Sequence, residues 1–262
     1  LFAKGSIDKT YNGILLYHGC IPMNEDGSFK KMIVNQAASE GKDLMDKLTR
    51  LARQGFFTAD DPMKKQQGLD AMWYLWCGPC SPLFGKEKMA TFEQYFLEDT
   101  STHKEQRNVY YSMRDDEVTV RQILQSFGIN PDDGHIVNGH VPVIVKKKEN
   151  PLKAGGKLIV IDGGFCPVYQ KKTGIAGYTL VYNSWGLLLA THQRREVGTS
   201  IDMANHDIAC TTEIIEYREE RLRIKDTDIG REIKGRIEEL MTLHNSYQQG
   251  TVSMDSHLNP SN

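Results

Sequence analysis

The segment Ile136–Val143, reading I-V-N-G-H-V-P-V, constrains this chain more than any other. A short β-branched run delivers Asn138, Gly139 and His140 at its end, and Pro142 stops any helix from continuing. Gly139 is read as the residue that lets the backbone turn tightly, while Pro142 fixes its own φ and holds Val141 extended. The pattern aims His140 out of a strand end, the posture of a metal ligand or a catalytic imidazole. Taken alone, such a histidine also serves as an ordinary satisfied polar residue. Ile14–Met23, I-L-L-Y-H-G-C-I-P-M, repeats the design with a hydrophobic strand, then His18, Gly19 and a proline shortly after. Two strand–His–turn units far apart in sequence predict two imidazoles at one rim of a sheet. Imidazole suits Zn, Fe, Ni and Cu, and Mn where carboxylates share the site. A hydrolytic metal needs three or more protein ligands, so the others must come from elsewhere.

The remainder of the chain supports a globular α/β (α+β) reading. Its 262 residues are enough for one large domain or two small ones, with 39% hydrophobic and 25% charged residues. A formal net charge of -2 gives no electrostatic footprint for nucleic acid. No apolar run approaches the roughly 18–20 residues that span a bilayer. Cys20, Cys77, Cys80, Cys166 and Cys210 are few and odd in number, which favours reduced thiols and a cytoplasmic setting over a disulfide framework. Strands are expected at Gly13–Tyr17, Ile136–Asn138 and Leu158–Ile161, with a hairpin pairing Tyr178–Tyr182 and Leu187–His192. Leu44, Leu48 and Leu51, with Met45 and Ala52, fall at helical spacing and predict a helix over Asn35–Phe56. Further helices are expected from Pro62 to Trp76, over Met89–Glu98 and Asp115–Phe127, and as a charged amphipathic helix over Asp228–Tyr247. Ile201–Cys210 shows no periodicity.

HGCIPMNEDG, GLDAMWYLWCGPCSPLFGK, VNGHVPV, KLIVIDGGF and TGIAGYTLVYNSWGLLLATH, in that order, resemble the class III fructose-1,6-bisphosphatases of the calcineurin-like metallophosphoesterase superfamily. The resemblance runs from about Gly13 to about His192. It implies that His18 and His140 are ligands of one metal in a dinuclear centre, with Mn²⁺ as the metal. It further implies hydrolysis of fructose 1,6-bisphosphate at its 1-phosphate, in gluconeogenesis. The family's D-x-H, G-D-x-x-D-R-G and G-N-H-D motifs precede H-G-C-I-P, and none of them occurs ahead of that motif here. The chain is therefore read as the C-terminal portion of a longer enzyme. Residues 1–193 would be the end of the metallophosphatase β-sandwich flanked by helices, and residues 194–262 a connector and helical tail. No catalytic residue is assigned within the chain, because the general-acid histidine is expected upstream. The missing strands are expected to leave an unfinished cleft and an uncovered apolar sheet edge.

Three other features bear on chemistry. Trp76-Cys77-Gly78-Pro79-Cys80 matches the thioredoxin active-site string, but the run before it reads as helix and Pro82 hinders a helix after it. Both cysteines are therefore expected unbonded on a loop near the metal position. A thiol–disulfide protein remains the alternative from another class, another metallophosphoesterase the alternative within it, and a silent interaction module built on the last helix a third. Asn205-His206-Asp207 resembles G-N-H-D but lacks the glycine and lies after the G-H-x-P unit, and Asp162 reads as a strand-end turn residue. Among the basic residues, Lys171 and Lys172 are the candidates for a substrate phosphate, as Lys146, Lys147 and Lys148 read as a solvated face.

Overall fold

The computed structural model describes residues 2–164, 166–194 and 208–251. The chain opens on a hairpin of β1 (Asp8–Tyr11) and β2 (Ile14–Tyr17), joined by Asn12 and Gly13 with φ of 48° and 79°. An Asn-Gly pair with both residues left-handed is the turn whose twist matches its strands. A second hairpin, β3 (Met32–Val34) and β4 (Ala37–Ser39), leads into α1 (Gly41–Phe57). The helix expected from Asn35 therefore starts six residues later, because Asn35 and Gln36 take φ of 50° and 64° and close a tight turn instead. Its apolar face is as expected, with Leu44, Met45, Leu48 and Leu51 buried.

Asp61 accepts a hydrogen bond from the Lys64 amide and caps α2 (Pro62–Cys77), which carries proline in its first turn. Next come α3 (Thr91–Phe96), α4 (Tyr110–Met113) and α5 (Glu117–Ser126), the last capped by Asp116 through Thr119. Then follow β5 (His135–Asn138), β6 (Leu152–Lys153), β7 (Leu158–Val160) and α6 (Pro167–Thr173). The last elements are β8 (Gly177–Asn183), β9 (Gly186–Arg194), β10 (Ile208–Tyr217) and α7 (Asp228–Gln248).

The main sheet has five strands in the order β1-β2-β5-β7-β6. Its centre is parallel: β2 pairs with β5, and β5 with β7. These strands carry near-continuous apolar runs, and Leu15, Ile136, Val137, Leu158, Ile159 and Val160 are all buried. Such runs suit a parallel sheet covered on both faces. Neither edge of this five-stranded sheet is the apolar one expected. The outer strand on one side is β1, Asp-Lys-Thr-Tyr and largely exposed, and on the other the two-residue β6. A polar strand and a very short one are standard protection for a sheet edge.

A three-stranded sheet has the order β10-β9-β8, and β10 answers to none of the expected elements. The structure divides into two compact units. One comprises Leu1–Val181 with Leu188–Ile215, and the other Tyr182–Leu187 with Glu216–Asn262. The expected division after residue 193 falls at the end of β9. Within the second unit Thr227 caps α7 through the Gly230 amide, and Trp185 stacks on Tyr217 at 6.3 Å. Ile229, Ile233, Ile237 and Leu240 of α7 are exposed. No helix among the described residues is long and apolar enough to cross a membrane.

One close approach holds the end of β2 in place. The Cys20 amide donates to Pro82 O at 2.9 Å, and a Cβ on Gly19 would lie 2.2 Å from that same oxygen. Backbone fills the space on that side, so no side-chain rotation relieves the clash. Gly19→Ala is expected to destabilise the chain by roughly 2–3 kcal/mol, read as a lower urea midpoint at unchanged slope. A midpoint within error of the parent would contradict this packing.

Candidate metal site

The register of the two central strands sets the site. Tyr17 of β2 lies opposite Asn138 of β5, so the chains leave the sheet side by side as His18 and Gly139. The Gly139 amide donates to His18 O at 3.0 Å, and Asn138 Nδ2 donates to Gly19 O at 2.8 Å. The left-handed residue of the second turn is His140, with φ of 66°, rather than the expected Gly139. The Val141 amide reaches back to Gly139 O at 2.8 Å, making a three-residue turn centred on the histidine. This is the rare, strained form of γ-turn. A non-glycine residue in that conformation is a common mark of a functional position.

The turn brings the two imidazoles together. His140 Nδ1 lies 3.0 Å from His18 Nε2, with ring centroids 4.9 Å apart and the rings nearly perpendicular. Two ligands at about 2.1 Å from one ion, set at a right angle, have nitrogens about 3 Å apart, so the donor pair fits a shared divalent ion. His18 is exposed and His140 half-buried. Burial, and then the neighbouring His18, hold the His140 ring below its ordinary imidazole value, which favours the neutral form whose lone pair a metal needs.

Both rings line a cavity of about 600 Å³ whose other walls are largely apolar, among them Ile7, Leu75, Trp76 and Phe84. They also line an adjoining cavity of about 480 Å³ with Asp8, Lys9, Asn138 and Asp162. Asp162 ends the strand next to His140. Its main-chain oxygen accepts from the Val143 amide at 3.1 Å, and its Oδ2 would be 3.7 Å from a Cβ on Gly139. The parallel order β5-β7 brings this strand-end residue to the same rim. No local pattern marks Tyr111, whose ring lies 6.5 Å from His140 at 28°. Among the described residues, no group of three or more His, Cys, Asp or Glu could hold an ion. The rim thus presents a pair of imidazoles and not a complete coordination sphere.

The other candidates lie elsewhere. Lys171 and Lys172 occupy the last turn of α6, are exposed, and line neither of these cavities. Cations at that end complement the helix dipole. Asn205, His206 and Asp207 lie outside the described residues. Cys77 and Cys80 are both free. Only Cys80 is on a loop, with φ of 61°, because Cys77 is the last residue of α2. The Cys77 thiol donates to Trp73 O at 3.5 Å, and that of Cys80 points at the Glu87 carboxylate, 3.6 Å away. A thioredoxin-type nucleophile sits where a helix begins, and here the helix ends.

Because the fold lowers His140 below about 6.5, the unfolded chain takes up that proton first as pH falls. Stability contributed by the neutral ring is complete above that value and is lost on acidification through and below it. Between pH 7.5 and 5.5 the parent chain should therefore lose more stability than His140→Gln, measured by urea unfolding. Equal losses would contradict the cause assigned to the shift.

The family model for the Firmicute fructose-1,6-bisphosphatase matches residues 1–249. A class 3 fructose-1,6-bisphosphatase of Clostridium botulinum (strain Kyoto / Type A2) is 51% identical over 259 residues, covering 99% of this chain and 39% of the relative. That of Clostridium novyi (strain NT) is 50% identical over 252 residues, covering 96% of this chain and 38% of the relative. No solved structure matches. The chain thus spans about two fifths of the length of these curated relatives. Matched along nearly all of its own length, the chain belongs to the Firmicute fructose-1,6-bisphosphatase family.

Proposed function

We propose that this chain supplies two imidazole ligands to the metal centre of a fructose-1,6-bisphosphatase, a phosphoric monoester hydrolase of the calcineurin-like metallophosphoesterase type. The observation that carries the reading is the 3.0 Å separation of His18 Nε2 and His140 Nδ1 at the ends of neighbouring parallel strands. His18 and His140 would hold a divalent ion there, Mn²⁺ by the family resemblance, which would supply Lewis-acid charge for hydrolysis of a phosphate ester. The chain's own part is to position. The strained turn at His140 fixes one ring, the Gly19–Pro82 contact fixes the strand end that carries the other, and burial favours the neutral His140 ring. By the family resemblance, the bridging aspartate and asparagine ligands of a two-metal centre, and its general-acid histidine, would correspond to the part of the relatives that this chain does not match. The setting is cytoplasmic gluconeogenesis and the substrate a sugar bisphosphate.

The test places this chain in the context of a relative. Exchanged for the matched segment of the Clostridium botulinum enzyme and assayed with Mn²⁺, it should yield a protein that releases phosphate from fructose 1,6-bisphosphate. His18→Ala or His140→Ala in that chimaera should lower kcat/KM by about 100-fold or more. The chain by itself, with an incomplete coordination sphere, should release none above background. Full activity in either alanine variant, or robust hydrolysis by the isolated chain, would contradict the assignment.

A further inference from the structure

Among the described residues, three buried side-chain polar atoms have no hydrogen-bond partner: Asn138 Oδ1, the Tyr111 hydroxyl and Arg114 Nη1. Native interiors leave few such atoms, and a charged one is the most costly. Arg114 is only 7% exposed, and a guanidinium does not escape the cost by deprotonating. The carboxylates beside it in sequence are engaged elsewhere. Asp115 pairs with Lys153 at 3.1 Å, and Asp116 caps α5 by accepting from the Thr119 amide and hydroxyl. The cation instead lies over the Tyr111 ring, 5.6 Å from its centroid. That ring in turn lies alongside the His140 imidazole.

The turn bearing Arg114 is firmly held. Tyr110, fully buried, shares a 2.8 Å hydrogen bond with Tyr17, the residue before His18. Asn108 Oδ1 accepts from the amides of both Met23 and Tyr110, and the Arg114 amide donates to Tyr110 O. A buried cation without a counter-ion, on a rigid support one aromatic ring from the imidazole pair, is a site that costs stability in the absence of what it binds.

We propose that Arg114, with the Tyr111 hydroxyl, is an anion-binding element that takes a phosphate group of a phosphorylated substrate. The planar guanidinium matches two phosphate oxygens at once, and the phenol is a second unpartnered buried donor on the ring beneath it. Naming a sugar bisphosphate as the source of that phosphate rests on the function proposed above. The oxyanion chemistry does not, because it requires no metal.

The experiment measures thermal midpoints of the purified chain in EDTA, with inorganic phosphate or fructose 1,6-bisphosphate as the probe. Saturating ligand should raise the midpoint of the parent chain by about 4 °C or more. In Arg114→Met that rise should vanish while the midpoint in buffer alone is unchanged or higher, since a buried unpaired charge has been removed. Tyr111→Phe keeps the ring beneath the cation and should retain a reduced rise. Arg114→Lys, which keeps the charge without the fork, should bind about ten-fold more weakly and gives the answer should Arg114→Met not fold. A rise with both probes assigns the site to the phosphate group, and a rise with the bisphosphate alone to the whole ester. No rise in the parent chain, or the same rise in Arg114→Met or Arg114→Lys as in the parent, overturns the proposal. So does a lower midpoint of Arg114→Met in buffer alone, which would mark the arginine as a structural residue. Because EDTA removes metal, failure of the imidazole-pair reading leaves these outcomes unaffected.

Discussion

Everything at the rim depends on the parallel pairing of β2 with β5. Parallel neighbours leave a sheet in the same direction, so residues that follow them emerge together; antiparallel neighbours would have sent His18 and His140 to opposite ends. The pairing is held by apolar burial along both strands and locked at its end by the Gly139–His18 main-chain hydrogen bond. A slip of one residue would turn every side chain of β5 to the other face, disrupting the packing of both layers on β5 and dissolving the imidazole contact at the same time. Folding and the site are therefore one problem here, solved by the same few hydrogen bonds.

The site that results is asymmetric. One side carries two imidazoles, with Asp162 and the orphaned Asn138 oxygen on the same rim. The other opens on a cavity with largely apolar walls. The curated relatives are more than twice as long as this chain. The strain at His140 and the cost of burying Arg114 are tolerated because a parallel core with fully buried strands over-determines the surrounding backbone.

What was legible in the sequence was whatever local chemistry writes. The two strand–His–turn units, the capped helix at Pro62, the hairpin around Asn183–Gly186 and the last helix all follow from short-range pattern. Alternation and turn residues identify β8 and β9, but β10 follows a stretch without periodicity and pairs only through the sheet. At Asn35 and Gln36 a left-handed turn overrode a helical pattern that begins only at Gly41. Tyr111 goes unmarked for another reason. Its place beside His140 is set by the docking of α4, which a local window does not contain. Gly139 was credited with a turn that His140 makes, because composition rules favour glycine where this fold strains a histidine.

The central claim is that His18 and His140 share one ion, and the most direct measurement observes both rings at once. Long-range ¹H–¹⁵N spectra of the histidine side chains, recorded as Mn²⁺ is added in small fractions of an equivalent, detect even weak binding through paramagnetic broadening. The account predicts that the ring signals of His18 and His140 broaden in parallel and first, while those of His103, His135, His192 and His244 persist. Broadening of one ring without the other, or of all rings alike, would contradict it.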